Sequence, residues 1–223
     1  MNVELKHYTK KLKGRTILDD ISLTLAPGHV YGLYGRNGSG KSMLIRAISG
    51  MILPTSGEVS VDGQRITVDI DFPESMGLII ENIQLQKAFT AKTNLQILGD
   101  IKKIATPEDI EWALTAVGLD PNSNEKVRSF SLGMNQKLAI AQAIFEKPQL
   151  ILLDEPTNAL DFQTVADFHQ LIEQLQSPER IILLASHNRD DLTEVATDFL
   201  EMDAGKLYPR TRADVMSVGA QHA

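Results

Sequence analysis

A glycine-rich segment between a predicted strand and a predicted helix constrains this chain more than any other feature. Residues Gly35–Ser42 read GRNGSGKS and satisfy the pattern G-x-x-x-x-G-K-[ST] at every fixed position. The apolar run Val30–Tyr34, which is typical of a buried central strand, precedes the segment. Apolar residues at helical spacing follow it. A strand, a glycine loop and a helix in this order predict an α/β domain that binds a nucleoside triphosphate.

Each residue type in this loop has a chemical reason. Glycines let the backbone curl so that successive N–H groups converge on an anion, and the helix that follows adds the positive end of its dipole. Lys41 would place its charge on the β- and γ-phosphates of ATP, and Ser42 would supply a hydroxyl to Mg²⁺. The motif alone does not distinguish kinases, GTPases, motor ATPases and transporters. The expected nucleotide-binding residues here are Gly35, Arg36, Asn37, Gly38, Ser39, Gly40, Lys41, Ser42 and Met43.

Two other apolar runs end in groups that suit phosphate chemistry. Leu150–Leu153 leads directly into Asp154 and Glu155. Because parallel strands deliver such residues to the sheet edge where ligands bind, Asp154 is predicted to hold Mg²⁺ and Glu155 to polarise the attacking water. The run Ile181–Ala185 similarly ends just before His187, a predicted contact of the γ-phosphate. Taken alone, the acidic pair would equally fit a polar strand end without chemistry.

The rest of the chain divides into segments of different character. Ile21–Leu25 alternates apolar and polar residues as a half-buried strand does, and Asp62-Gly63 is a strong hairpin signal. The stretch from about 90 to 146 is rich in helix formers, and Thr106-Pro107-Glu108 has the features of a helix start. We therefore expect a single domain over 1–223. Its expected parts are an α/β core over 1–85 and 147–210, a helical lobe over 86–146 and a tail over 211–223.

Composition and charge exclude several classes of function. The 223 residues contain no cysteine, so disulfides and thiolate metal sites within the chain are impossible. No apolar run approaches the ~20 residues that a membrane-spanning helix needs, so a membrane role is expected to come through a partner. The net charge of −7 argues against a dedicated nucleic-acid binder, and no nucleic-acid partner is expected. A basic cluster near the start is interpreted as a solvated hairpin; its members are Lys6, Lys10, Lys11, Lys13 and Arg15.

These motifs, taken in order, resemble those of the ATP-binding cassette (ABC) ATPases. The set comprises GRNGSGKS, ILLDEP, the turn Asn158–Asp161 and the Ser-His pair at His187. The distinguishing element is FSLGM at Phe130–Met134, between the two Walker motifs, which resembles the ABC signature L-S-G-G-Q. The resemblance covers roughly residues 3–208. It implies an α/β P-loop NTPase core with a mixed, mainly parallel sheet, an N-terminal antiparallel β subdomain and an inserted helical subdomain.

The resemblance also implies how the site would be organised. In the family, two cassettes pack head to tail, so Ser131 and Gly133 would contact the ATP held by a second subunit. Asp161, in the D-loop, would cross the same interface. The implied function is an ATPase at the cytoplasmic face of the cell membrane that drives export of a substrate through a separate integral membrane permease. The expected catalytic residues are Glu155, His187 and Lys41.

Several positions depart from the family pattern. Glu81 occupies the place of the Q-loop glutamine, and its carboxylate could still meet Mg²⁺ or its waters. Leu12 lies where the family has an adenine-stacking aromatic residue, with Tyr8 as an alternative, and Met43 replaces a common threonine. A signature beginning SLGM and a glutamate at the Q-loop resemble small cassettes of bacterial exporters linked to peptide-antibiotic resistance and immunity. The expected Mg²⁺ ligands are Ser42, Asp154 and Glu81.

Two other functions compete with transport. A soluble ABC ATPase that acts on DNA or the ribosome usually carries a long coiled coil between its Walker motifs, or two cassettes in tandem, and this chain has neither. A regulatory cassette that does not hydrolyse ATP is the third possibility. The presence of Lys41, Asp154, Glu155 and His187 argues against it.

Overall fold

A computed structural model describes residues 1–80 and 85–219, with side chains described up to residue 216. Two β-sheets organise this part of the chain. The first is a four-stranded antiparallel sheet in the order β2-β1-β4-β5. Its strands are β1 (Val3–Leu12), β2 (Arg15–Leu25), β4 (Ser56–Val61) and β5 (Gln64–Arg65). The predicted hairpin at Asp62-Gly63 is confirmed, because these two residues join β4 to β5 and adopt positive φ angles of 50° and 79°, as a tight two-residue turn requires.

The second sheet has six strands in the order β10-β9-β3-β8-β7-β6. Among the described strands of this sheet, the pairs β6–β7, β7–β8, β8–β3 and β3–β9 are parallel, and the pair β9–β10 is antiparallel. The predicted mixed, mainly parallel sheet is therefore confirmed. The strand β3 lies between β8 and β9, where a fully apolar strand belongs. The bounds are β3 (Val30–Tyr34), β6 (Met76–Ile79), β7 (Leu150–Asp154), β8 (Ile181–Ser186), β9 (Asp198–Asp203) and β10 (Lys206–Arg210).

The helices follow the strands that they connect. They are α1 (Lys41–Ile48), α2 (Ala91–Lys102), α3 (Pro107–Ala116), α4 (Leu132–Ile144), α5 (Phe162–Leu175), α6 (Arg189–Val195) and α7 (Arg212–Gly219), with a 3-10 turn at Val127–Ser129. Helices α2 to α4 follow one another without an intervening strand, as expected for an inserted helical subdomain. Within the described ranges, no helix has both the length and the apolar character that a bilayer crossing requires.

The core lies on both faces of the six-stranded sheet. In β7, Ile151 and Leu153 pack toward α2–α5, whereas Leu150 and Leu152 pack toward α1 and the antiparallel sheet. All four side chains are fully buried. Because both faces are covered, the strand reads as a continuous apolar run instead of an alternating one.

The segment after residue 210, which was expected to be a tail without a clear pattern, begins with α7. Thr211 and Asp214 form a reciprocal cap at its start: the Thr211 amide donates to Asp214 Oδ2 (2.8 Å) and the Asp214 amide donates to Thr211 Oγ1 (3.2 Å). Val215 then packs into the core. Thr-x-x-Asp at Thr211–Asp214 is therefore a local sequence signal for the start of this helix.

Candidate active site

The phosphate loop lies between β3 and α1, as its motif predicts. Gly40 caps α1 with a φ angle of 119°, a conformation that L side chains rarely adopt. At Gly35, where φ is 156°, an added Cβ would overlap the Met202 carbonyl oxygen. Ser39 is buried, and its Oγ has no hydrogen-bond partner in the part of the chain that the structure describes. A buried hydroxyl of this kind suits a ligand oxygen.

Lys41 is a buried cation at the first position of α1. Its Nζ donates to the Gly35 carbonyl oxygen (2.8 Å) and lies 3.7 Å from Glu155 Oε1. Only 6% of its side chain is exposed, so these two acceptors compensate for the desolvation of the charge. The loop therefore holds its ammonium group in a fixed place.

The ends of β7 and β8 bring the predicted carboxylates and histidine together. Asp154, the last residue of β7, is buried, and Glu155 follows with its backbone in the left-handed region at φ 50°. His187, just after β8, has its Nδ1 2.7 Å from Glu155 Oε2. Since a carboxylate only accepts, the imidazole donates from Nδ1. Glu155 thus contacts both Lys41 and His187, which fits the predicted grouping of the three side chains.

An open cleft of about 1070 Å³ surrounds these groups, which is ample for a nucleotide. Its walls include residues of the phosphate loop and of α1, the two acids at the end of β7, and residues of α4. Among them are Asn37, Gly38, Gly40, Lys41, Ser42, Met43, Asp154, Glu155, His187, Leu132, Asn135 and Gln136.

Two of the three residues expected to hold Mg²⁺ have positions and donor atoms that fit that ion. The Ser42 hydroxyl and the Asp154 carboxylate line the same cleft, and both are hard oxygen donors of the kind that Mg²⁺ prefers. In residues 1–80 and 85–219, no group of three or more His, Cys, Asp and Glu side chains could form a complete metal cage. Phosphate and water oxygens would therefore complete the shell, as is usual for nucleotide-bound Mg²⁺. The third expected ligand, Glu81, lies outside the described residues.

The signature residues lie at the start of a helix, and of them Leu132 lines the cleft. Ser131 caps α4, accepting from the Met134 amide (3.2 Å), and Leu132 next to it is 74% exposed. Gly133 lies in the first turn, where an added Cβ would be 3.2 Å from the Ala159 carbonyl oxygen. Neither Ser131 nor Gly133 belongs to the described lining of the cleft.

Comparisons with known proteins agree with this geometry. A family model described as "ABC transporter" matches residues 18–158. The chain belongs to the ABC transporter family. It is 49% identical over 205 residues to the uncharacterized ABC transporter ATP-binding protein YybJ of Bacillus subtilis (strain 168), which covers 92% of this chain and 94% of that protein. It is 33% identical over 207 residues to the bacitracin transport ATP-binding protein BcrA of Bacillus licheniformis, covering 92% of this chain and 68% of the relative.

Solved structures add the fold. The dimeric structure of MJ0796, a bacterial ABC transporter cassette, superposes with a TM-score of 0.84 at 23% identity, covering 94% of this chain and 98% of that one. The chain is accordingly an ABC transporter ATP-binding subunit and an ATPase.

Two candidates for stacking on adenine differ sharply in this ABC ATPase. Tyr8 is fully buried, its hydroxyl donates to the Ile52 carbonyl oxygen (3.0 Å), and burial raises the pKa of that hydroxyl to about 12. The alternative of Tyr8 as the stacking residue is therefore wrong, because its ring is part of the core. Leu12, the last residue of β1, is 43% exposed and stays available to a ligand.

Asp161 has a local structural role besides any role at an interface. Its side chain caps α5 by accepting from the Thr164 amide (2.8 Å), and this backbone hydrogen bond lowers the pKa of the carboxyl. Arg36, in contrast, lies exposed in the phosphate loop.

A contact that no motif indicates joins α4 to the turn after β7: Gln136 Nε2 donates to the Pro156 carbonyl oxygen (2.8 Å). Gln136 lies in a run of three polar residues, Asn135–Lys137, near the start of α4, and nothing local in the sequence singles it out.

Proposed function

We propose that this chain is the ATP-hydrolysing subunit of an ABC exporter. In this proposal it works at the cytoplasmic face of the membrane through a separate permease and as a head-to-tail dimer. The observation that carries the hydrolytic role is the contact of Glu155 with both Lys41 and His187 inside the cleft. The export assignment draws on the similarity to BcrA, a bacitracin transport ATP-binding protein, and on the signature resemblance.

The geometry supports a division of roles within one site. Lys41 and the loop amides bind the β- and γ-phosphates, for which Lys41 exchanges its contact with Glu155. The Glu155 carboxylate, no longer paired with Lys41, accepts the proton of the attacking water. His187 holds Glu155 on one side and reaches toward the γ-phosphate. Mg²⁺, held by Ser42 and Asp154 when bound, would neutralise charge on the phosphate oxygens.

Exposed groups near the signature support completion of the site by a second subunit. The start of α4 offers the Ser131 hydroxyl and the positive end of a helix to an anion. Leu132, beside Ser131 in the signature, and Phe162, directly after the Asn158–Asp161 turn, are 74% and 90% exposed. In the proposed dimer, burial of these two side chains against the second subunit would contribute to the interface.

Replacement of Glu155 by Gln tests the hydrolytic role. The amide keeps the shape of the side chain but cannot take a proton from water, so we expect ATP binding to persist and hydrolysis to fall by about 10²-fold or more. An ATP-dependent dimer should then accumulate in size-exclusion chromatography. Hydrolysis at the wild-type rate would remove Glu155 from its proposed role.

Purification from membranes tests the transport role. We expect the full chain, solubilised in mild detergent, to bring with it an integral membrane protein that carries no ATP-binding cassette of its own. Recovery of ribosomes or DNA with no membrane protein would instead favour the soluble ABC ATPase and would contradict the exporter proposal.

A further inference from the structure

A second carboxylate, that of Asp191, is hydrogen-bonded to both of the turns that carry Glu155 and His187. Asp191 Oδ2 accepts from the Thr157 hydroxyl (2.7 Å), and Asp191 Oδ1 accepts from Asn188 Nδ2 (3.0 Å). Thr157 follows Glu155 by two positions, and Asn188 follows His187 directly. One side chain in α6 therefore joins the turn after β7 to the turn after β8.

The turn that begins at Glu155 needs such support. Glu155 adopts a φ angle of 50°, and a non-glycine residue keeps that conformation only when its surroundings hold it there. Its amide donates to the Ala185 carbonyl oxygen (2.8 Å), and its own carbonyl oxygen accepts from the Asn158 amide (3.2 Å). Both bonds are to the backbone. Within this turn, Thr157 supplies the side-chain bond to Asp191, and it is buried.

The other arm of the bridge is also fixed in orientation. Asn188 caps α6 by accepting from the Asp190 amide at Oδ1 (3.1 Å), so its Nδ2 group is directed to Asp191. The Asn188 amide in turn donates to Ser186 Oγ (3.0 Å). Asp191 thus meets two donors, and a carboxylate, which only accepts, satisfies both at once.

We propose that Asp191 is a positioning residue for ATP hydrolysis, which sets the Glu155 carboxylate against the His187 imidazole through Thr157 and Asn188. The proposal rests on the roles of Glu155 and His187 in the proposed function. Asp191 itself touches neither of the reacting groups. Misplacement of a catalytic group by about 1 Å can cost on the order of 10²-fold in rate, so a bridge of this kind has kinetic consequences.

Substitution of Thr157 and Asp191 tests the proposal. Thr157→Val removes the hydroxyl at nearly constant shape, and Asp191→Ala removes both acceptor oxygens of the bridge. For both variants we expect kcat for ATP hydrolysis to fall by about tenfold or more, with the KM and the dissociation constant for ATP unchanged. Thr157→Ser, which keeps the hydroxyl, should restore kcat. The matched control is Asp190→Asn, because Asp190 is an exposed neighbouring acid.

A second measurement separates positioning from a general loss of structure. In a Glu155→Gln background, Thr157→Val should cause little further loss of residual hydrolysis, because the group that it positions is already disabled. A variant that only weakens the fold would lower the thermal midpoint and reduce activity equally in both backgrounds. If Asp191→Ala does not fold, Thr157→Val and Thr157→Ser carry the test.

The outcomes also separate this proposal from the one on which it rests. If Glu155→Gln and His187→Ala abolish hydrolysis while Thr157→Val and Asp191→Ala stay within twofold of the wild type, the positioning role is overturned and the proposed function stands. A full second loss in the Glu155→Gln background also overturns it. If Glu155→Gln itself hydrolyses ATP normally, the proposed function fails first.

Discussion

At the scale of single residues, the proposed role of Glu155 depends on the two contacts of its carboxylate group. Its two carboxylate oxygens face different cations or donors, Lys41 at 3.7 Å and His187 at 2.7 Å. Triphosphate oxygens are stronger partners for a lysine than one carboxylate oxygen at that distance, so the Lys41 contact is the one that ATP can replace. The His187 contact can persist, which leaves Glu155 oriented when its partner is exchanged.

Leu12 carries a prediction at the same scale. If adenine stacks at the end of β1, Leu12→Tyr should lower the dissociation constant for ATP by about two- to tenfold, because an aromatic stack contributes roughly 0.5–1.5 kcal/mol beyond burial. Calorimetric titration with ATP measures this. Ile104→Tyr, at an exposed apolar position after α2, is the matched control and should leave the constant unchanged. Equal constants for wild type and Leu12→Tyr would move the base-binding site elsewhere.

At the scale of elements, the N-terminus of α3 shows how a local sequence pattern stabilises the start of a helix. Thr106 accepts from the Asp109 amide (3.2 Å), and Asp109 Oδ2 accepts from the Thr106 amide (2.9 Å). Asp109 also pairs with Lys147, which precedes β7. The helix is thereby tied to the core by a group that also caps it.

Asp109→Asn tests this cap through its pH dependence. The Lys147 ammonium, followed by the Thr106 amide, lowers the pKa of Asp109 below its ordinary value of 3.8. A lowered pKa means that the stabilisation is present at neutral pH and is lost as the pH falls through the folded-state value. We therefore expect Asp109→Asn to lower the free energy of unfolding by about 1 kcal/mol at pH 7, measured by urea denaturation.

The difference between wild type and Asp109→Asn should shrink as the pH falls below 3.8. Glu108→Gln is the control, since Glu108 lies exposed in the same first turn and is not part of the capping box. A difference that stays constant with pH would show that the charge of Asp109 contributes nothing.

At the scale of the whole molecule, the proposed dimer would divide one ATP site between the cleft of one chain and the signature of another. Lys41, Glu155 and His187 line the cleft, whereas Ser131 and Gly133, on either side of Leu132, lie outside its described lining. In a head-to-tail dimer, the loop of one chain would be completed by the signature of the other. This arrangement predicts a specific pattern of complementation between inactive variants.

Lys41→Ala disables the loop side, and Ser131→Arg disables the signature side. Each protein alone should be inactive, but a mixed dimer would contain one intact site, with the loop of the Ser131→Arg chain under the signature of the Lys41→Ala chain. We expect the mixture to recover ATPase activity. Mixing Lys41→Ala with Glu155→Gln is the control, because both changes lie on the loop side. Equal activity of the two mixtures would contradict the composite site.

Much of the fold and of the site follows from local sequence. The phosphate loop needs glycines, a lysine and a serine at fixed spacing between a strand and a helix, so neighbouring residues alone specify it. The buried strands Leu150–Asp154 and Ile181–Ser186 and the turn at Asp62-Gly63 were predictable for the same reason. The start of α7 is equally local, because the capping residues Thr211 and Asp214 are only three positions apart, although no helix was predicted there.

Other features depend on residues far apart in sequence, and only the tertiary structure decided them. Tyr8 is buried in the core, where its hydroxyl donates a hydrogen bond to the Ile52 carbonyl oxygen. The glycine at position 35 is enforced by the Met202 carbonyl oxygen of another strand. Asp191 meets Thr157 across 34 positions. Sequence by itself determined which chemical groups the site contains, whereas packing determined which of them touch, because a contact between distant segments depends on how the sheet brings its strand ends together.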